Sequence, residues 1–113
     1  MAIFYKNQGY DLTTTNLTTV LTINTSSVAI IKEIAVTNDD NTAHMVDYFF
    51  YDYSTSTSYK FFHTNVPADS HENAVHNALI LEEGDYLQFQ ADSADKISGQ
   101  ISYALLTRSG ENG

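Results

Sequence analysis

Apolar and polar positions alternate with a period of two along most of this chain, as they do in half-buried strands. The run from Val28 to Thr37 shows it most clearly. Val28, Ile30, Ile34 and Val36 fall on one side, interrupted by Lys32, with Ala29, Ile31, Glu33 and Ala35 on the other. Before it, Leu17, Leu21 and Ile23 share a face opposed by Thr18 and Thr22. After it, His44 to Tyr53 sets Val46, Tyr48 and Phe50 against Met45, Phe49, Tyr51 and Tyr53, and Ser58 to His63 returns as a hairpin partner. A weaker strand is expected around Asn73 to His76, then one at Leu79-Ile80-Leu81. Another follows from Tyr86 to Ala91, with Leu87 and Phe89 opposed to Gln88 and Gln90. The last strand runs from Lys96 to Thr107, with Ile97, Ile101, Tyr103 and Leu105 on one face. Residues 1–16, threonine-rich after Ile3-Phe4-Tyr5, read as an N-terminal arm or an edge strand, because runs of stiff β-branched threonines disfavour helix.

The breaks between these runs carry turn chemistry. Asn24-Thr25-Ser26-Ser27, Asn38-Asp39-Asp40-Asn41, Ser54-Thr55-Ser56-Thr57 and Asp92-Ser93-Ala94-Asp95 are rich in side chains that bond their own backbone. In Glu82-Glu83-Gly84-Asp85 the glycine takes the position that needs positive φ. Seven or eight short strands with turns between them predict an all-β antiparallel β-sandwich or jelly roll over residues 17–108, with a frayed tail at 109–113.

Composition narrows the picture. A chain of 113 residues holds one domain, and with no cysteine it uses neither disulfides nor a cysteine zinc site. No stretch approaches the roughly 20 apolar residues of a membrane span. The opening residues lack the apolar core of a signal peptide, so synthesis in a cytoplasm is expected and the sequons at Asn16 and Asn24 are chance matches. The formal charge of −9 argues against nucleic acid as a partner, since phosphate binding needs a basic face. That charge is uneven. Lys6 and Lys32 balance Asp11 and Glu33 in residues 1–38, and twelve acids against Lys60, Lys96 and Arg108 in residues 39–113 give the whole −9. One reading is a solubilising surface; a sharper one has the neutral first third facing a partner.

Catalytic and metal signals are weak. His71 and His76 in His71-Glu72-Asn73-Ala74-Val75-His76 are five apart, whereas the zinc-protease helix needs a spacing of four. A looser site from His63, His71 and Asp69 reads better as surface loop. Asp39-Asp40-Asn41 and Glu82-Glu83-Gly84-Asp85 lack the alternating ligands of a calcium loop and read as turns. No serine sits in a Gly-x-Ser-x-Gly elbow, and adjacent acids on a strand face opposite ways. No enzyme activity and no cofactor is expected.

The aromatics remain. Tyr48, Phe49, Phe50, Tyr51, Tyr53, Tyr59, Phe61 and Phe62 crowd one hairpin, where one face fills the core and the other must be wet or covered. Tyrosine-rich, charge-poor surface suits an interface core. The candidate partner-contact residues are Ile3, Phe4, Tyr5 and Tyr10 in the first segment and Phe49, Tyr51, Tyr53, Tyr59 and Phe61 in the hairpin. A carbohydrate platform is an alternative, weakened by the absence of tryptophan.

Several stretches carry a family likeness. They are Leu17-Thr18-Thr19-Val20-Leu21, the strand Ser27 to Asn38, the segment Leu79-Ile80-Leu81-Glu82-Glu83-Gly84-Asp85-Tyr86-Leu87, and the closing Ile97-Ser98-Gly99-Gln100-Ile101-Ser102-Tyr103-Ala104. Over residues 17–107 the chain resembles the small β-sandwich virion proteins of tailed bacteriophages, especially marine and cyanobacterial ones. The resemblance implies a place in the virion of a phage whose host cytoplasm makes the chain. The role implied is a capsid decoration (cement) protein, with a neck, tail or fibre adaptor as the alternative. It implies the major capsid protein or other virion proteins as partners and a homo-oligomer, with a trimer favoured. No catalytic residues carry over.

Overall fold

The computed structural model describes residues 2–75 and 77–107. They form nine strands and no helix: β1 (Ala2–Leu12), β2 (Thr18–Thr22), β3 (Ser27–Asn38), β4 (His44–Asp52), β5 (Thr57–Val66), β6 (Ser70–Asn73), β7 (Leu79–Leu81), β8 (Tyr86–Ala91) and β9 (Ile97–Thr107). One sheet is ordered β1-β9-β3-β6, with β7 pairing the first half of β3 beside β6; the other is ordered β2-β8-β4-β5. Every pairing is antiparallel.

This order is that of one long hairpin wound into two layers. The chain doubles back at the β4–β5 turn, and from there β3 meets β6 and β7, β2 meets β8, and β1 meets β9. Winding then brings β9 against β3 and β8 against β4. The result is a jelly-roll sandwich, one of the two all-β arrangements expected from the alternation.

The inner faces supply a continuous core. Tyr48, Phe89, Leu12, Ile23, Ile31, Ile34, Leu81, Leu87, Ile97 and Ile101 are fully buried, and Tyr10, Phe50, Phe61, Phe62, Leu79 and Leu105 pack against them. The Tyr48 ring meets Phe89 edge-on at 4.9 Å, and its hydroxyl pairs with Thr64 Oγ1 at 3.0 Å, so the buried phenol is not orphaned.

Period-two reading fails where a bulge intervenes. The β3–β9 register shifts between Ile31 and Glu33, so Ala29 and Ile31 are buried before the shift and Ile34 and Val36 after it, with Lys32 and Glu33 both exposed. Val28 and Ile30 therefore lie on the opposite face from Ile34 and Val36, correcting the single face expected for all four. One extra residue reverses the alternation, and the interrupting Lys32 marks the place. A shift between Thr19 and Leu21 likewise buries both Val20 and Leu21 and leaves Leu17 exposed, against the expected Leu17–Leu21–Ile23 stripe. A third, between Tyr48 and Phe49, leaves Phe61 as the extra residue of β5. The weak strand lies earlier than expected, at Ser70–Asn73; Ala74 and Val75 turn into the core, and His76 lies outside the described residues, as do 108–113.

Two polar side chains tie the turns together. Asn38, buried, donates from Nδ2 to the carbonyls of Thr42, Val66 and Pro67 and accepts from the Asp40 N–H at 3.0 Å. At the opposite end of β3, buried Asp85 accepts from Tyr53 N–H at 3.0 Å and Glu82 N–H at 2.8 Å. Its carbonyl accepts from Ile23 N–H at 2.9 Å, so the β2–β3, β4–β5 and β7–β8 turns meet at one residue.

Candidate functional site

The sites that sequence alone raised for chemistry are turn locks. Asp52, Glu82 and Asp85 have carboxylate oxygens within 4.8 Å of one another, the one such group of potential metal ligands among the described residues. Both Asp85 oxygens are occupied by backbone N–H groups, and Asp52 Oδ1 accepts from the backbone N–H and hydroxyl of Ser54, which holds the Asp52 carboxyl below its ordinary range. In the Asp39-Asp40-Asn41 turn, His44 is clamped between two carboxylates, Nε2 on Asp40 and Nδ1 on Asp92, each at 2.7 Å. Two acceptors call for two N–H donors, an imidazolium. The Asp40 hydrogen bond raises the His44 pKa and in return lowers that of Asp40. The hydrogen bond from His63 at 2.5 Å lowers the pKa of Asp47, with Lys60 Nζ at 3.4 Å from the same carboxylate. His71 is exposed on β6 and Asp69 sits in a turn at φ 49°, so the loose His63–His71–Asp69 site is not assembled.

The surface is more informative. In β1, Tyr10 and Leu12 turn inward, so even-numbered positions face the sandwich and odd-numbered ones face out. Following the register across the five-stranded sheet gives the outward rows. Tyr5, Ala104, Ile30 and Ile80 form one, and Ile3, Leu106 and Val28 the next. Neither row contains a charge. Ile3 is 56% exposed, Tyr5 85% and Ile80 52%. The following rows are polar: Asn7, Ser102 and Glu33; then Gly9, Gln100, Ala35 and Asn73; then Asp11, Ser98, Thr37 and His71. One outer face is thus divided into an apolar end, beside the start of β1 and the end of β9, and a polar end. An apolar patch bounded by polar residues is the form that interaction surfaces take.

The nine residues expected at partner contacts fall into three groups. Ile3 and Tyr5 lie in the apolar rows, and Phe4 projects inward at the open edge, still half-exposed. Tyr10 belongs to the fold: its ring stands edge-on to Phe89 at 5.2 Å, its hydroxyl donates to the Ala35 carbonyl at 2.7 Å, and burial raises its pKa. Of the hairpin aromatics, most are covered from within the chain. Phe49 lies under Lys60 Nζ at 5.6 Å, Tyr51 stacks on Tyr86 at 4.5 Å, and Phe61 packs against Tyr48 and Phe50. Tyr59 stacks on Phe50 and remains half-exposed, and Tyr53 stands exposed at the tip, over Gly84. The sequence reading passed over Val28, Ile30, Ile80, Ala104 and Leu106. The three consecutive apolar residues of β7 were the available signal, because one of three in a strand must point away from the core.

No family model matches the chain, and no curated protein matches it. Solved structures do share its fold. A chain of the IBDV viral particle superposes with a TM-score of 0.60 at 6% identity, over 96% of this chain and 32% of that one. The capsid structure of Helicobacter pylori bacteriophage KHP30 gives 0.55 at 8% identity, over 93% and 87%. Bacillus endospore appendages, described as disulfide-linked pili, give 0.52 at 13% identity, over 91% and 85%. At these identities the likeness is one of fold: this chain is an all-β sandwich of a kind also found in virus shells and surface fibres.

Proposed function

We propose that the chain is a structural subunit of a virus particle, and specifically a decoration (cement) protein on the capsid of a tailed phage of the marine or cyanobacterial type. The observation that carries the reading is the charge-free apolar end of the five-stranded sheet, set on a protein whose described acids, other than the turn-holding Asp85, all reach solvent. Such a face gains roughly 25 cal/mol for each Å² of apolar surface it buries, less the cost of association. With no cysteine, the chain makes no disulfide to its partners, unlike the disulfide-linked pili that share its fold. The virus-shell neighbours and the phage resemblance over residues 17–107 support the particle as the setting, with the major capsid protein as partner. The role is mechanical rather than catalytic.

The test is the copy number of the chain in purified virions, measured by mass spectrometry with the major capsid protein as internal ruler. A ratio near one per capsid subunit is expected. A ratio of a few per cent would move the chain to the neck, tail or fibre, and absence from the particle would sink the structural reading. In that last case the groove of about 640 Å³ lined by Tyr53, Thr25, Ser54, Val28, Glu82 and Glu83 favours a glycan-binding module, since an exposed ring beside hydroxyls and carboxylates suits a sugar. A glycan array without signal would remove that reading as well.

A further inference from the structure

Edge strands that persist in soluble proteins are short, bulged, charged or covered, because a bare edge offers its unpaired N–H and C=O groups to any passing strand. Three of the edges here follow that rule. β2 and β5 each carry a register shift, β5 adds Lys60 and His63, and the far edge of the five-stranded sheet is divided between four-residue β6 and three-residue β7. β1 does not. It is paired to β9 on one side only, its register runs without a shift for eleven residues, and it contains no proline. Its charges are Lys6 and Asp11, net zero on a chain of −9, so two copies of β1 approach each other without the repulsion the acidic remainder would impose.

We propose that β1 pairs antiparallel with β1 of a second copy across a two-fold axis at Phe4, joining two five-stranded sheets into one of ten strands. The axis must pass through a residue position, because an axis between two residues would set inward side chains against outward ones. Among the positions from Phe4 to Asn7 the side chains favour the first. At Lys6 it would oppose two like charges, at Asn7 it would set Ile3 against Asp11, and at Tyr5 it would set Ile3 against Asn7 and Phe4 against Lys6. At Phe4 it pairs Phe4 with its own mate and Ile3 with Tyr5, the aromatic–aromatic and aromatic–β-branched contacts that stabilise strand pairs. The pairing also places the two outer apolar ends side by side, so the dimer presents one charge-free surface twice as wide as the monomer's. This specifies one neighbour of the assembly surface described above, and it applies to the isolated chain whether or not the chain belongs to a virion.

Sedimentation equilibrium of the purified protein at about 0.1 mM, well above the dissociation constant of a micromolar contact, reads the result. The expected mass is twice 12.6 kDa, falling to one chain in Phe4→Lys, which sets two ammonium groups opposite each other at the axis. The variant must keep the wild-type circular dichroism and a cooperative melt. Because the chain has no cysteine, Phe4→Cys and Asn7→Cys each introduce a lone thiol. Under mild oxidation Phe4→Cys forms a disulfide dimer at least about tenfold faster, since only there do the paired Cα atoms come within bridging distance. A monomeric wild type, a trimer, an unchanged dimer in Phe4→Lys or equal cross-linking at the two positions would each overturn the proposal. A monomer that is nonetheless abundant in virions would overturn this pairing and leave the particle role standing.

Discussion

Gly99 shows how much of the architecture rests on a single missing side chain. A Cβ there would lie 1.9 Å from the Ala35 carbonyl oxygen and 2.7 Å from the Tyr10 hydroxyl, in the space the tyrosine crosses to donate its hydrogen bond. The ring covers the bare backbone, and β1, β9 and β3 are bound together at that row. Gly99→Ala should therefore destabilise the fold by about 3 kcal/mol, at the upper end of overpacking, because backbone and not a flexible side chain blocks the new methyl. Gly9→Ala, whose Cβ would meet nothing nearer than 3.9 Å, should stay within about 0.5 kcal/mol of wild type. Urea unfolding of the two variants separates these outcomes, and equal midpoints would show that the close approach at Gly99 relaxes without cost.

At the scale of elements, most strands were legible because one face is apolar and the other polar, and turn residues stand between them. Gly84, at φ 84°, occupies the position its turn required. The three bulges were not legible, since one inserted residue leaves the local composition unchanged and reverses only the phase; Lys32 amid apolar residues was the single visible mark. The apolar outer face was hidden for another reason. Its members come from β1, β3, β7 and β9, which only the register brings together, while three of the hairpin aromatics expected at contacts, Phe49, Tyr51 and Phe61, are covered by Lys60, Tyr86 and the Tyr48 and Phe50 rings. The role of Asp85 was likewise visible only in three dimensions. Its carboxylate holds two backbone donors in a buried turn, and an amide would have to aim its NH₂ at one of them. Asp85→Asn should cost about 2 kcal/mol, the scale of a hydrogen bond to a charged group, and lower the melting temperature by several degrees. An unchanged melt would mean that the turn closes without the second acceptor.

For the molecule as a whole, the carboxylate–histidine pairs set a preferred pH. His44 has a raised pKa, so its contribution is complete below the ordinary imidazole value of about 6.5 and is lost as the pH climbs through the raised one. Asp40 and Asp47 have lowered pKa values, so theirs is complete above about 4 and is lost as the pH falls through the lowered ones. Stability should peak between about pH 4.5 and 6.5. The melting-temperature gap between wild type and His44→Gln should be widest there and narrow by pH 8.5 or so, once the imidazolium is gone. A gap of constant width from pH 5 to about 9 would show that the clamp acts without its charge. The wound hairpin has a consequence in time as well. Each strand on the amino side of the β4–β5 turn waits for one that emerges later from the ribosome, and β1 waits longest, since Ala2 pairs with Thr107. Such long-range closure is slow. The chain should therefore zip from Tyr53–Ser56 outward, and the β1–β9 seam, last to close, should be the first to part when Ala2 and Thr107 are pulled apart.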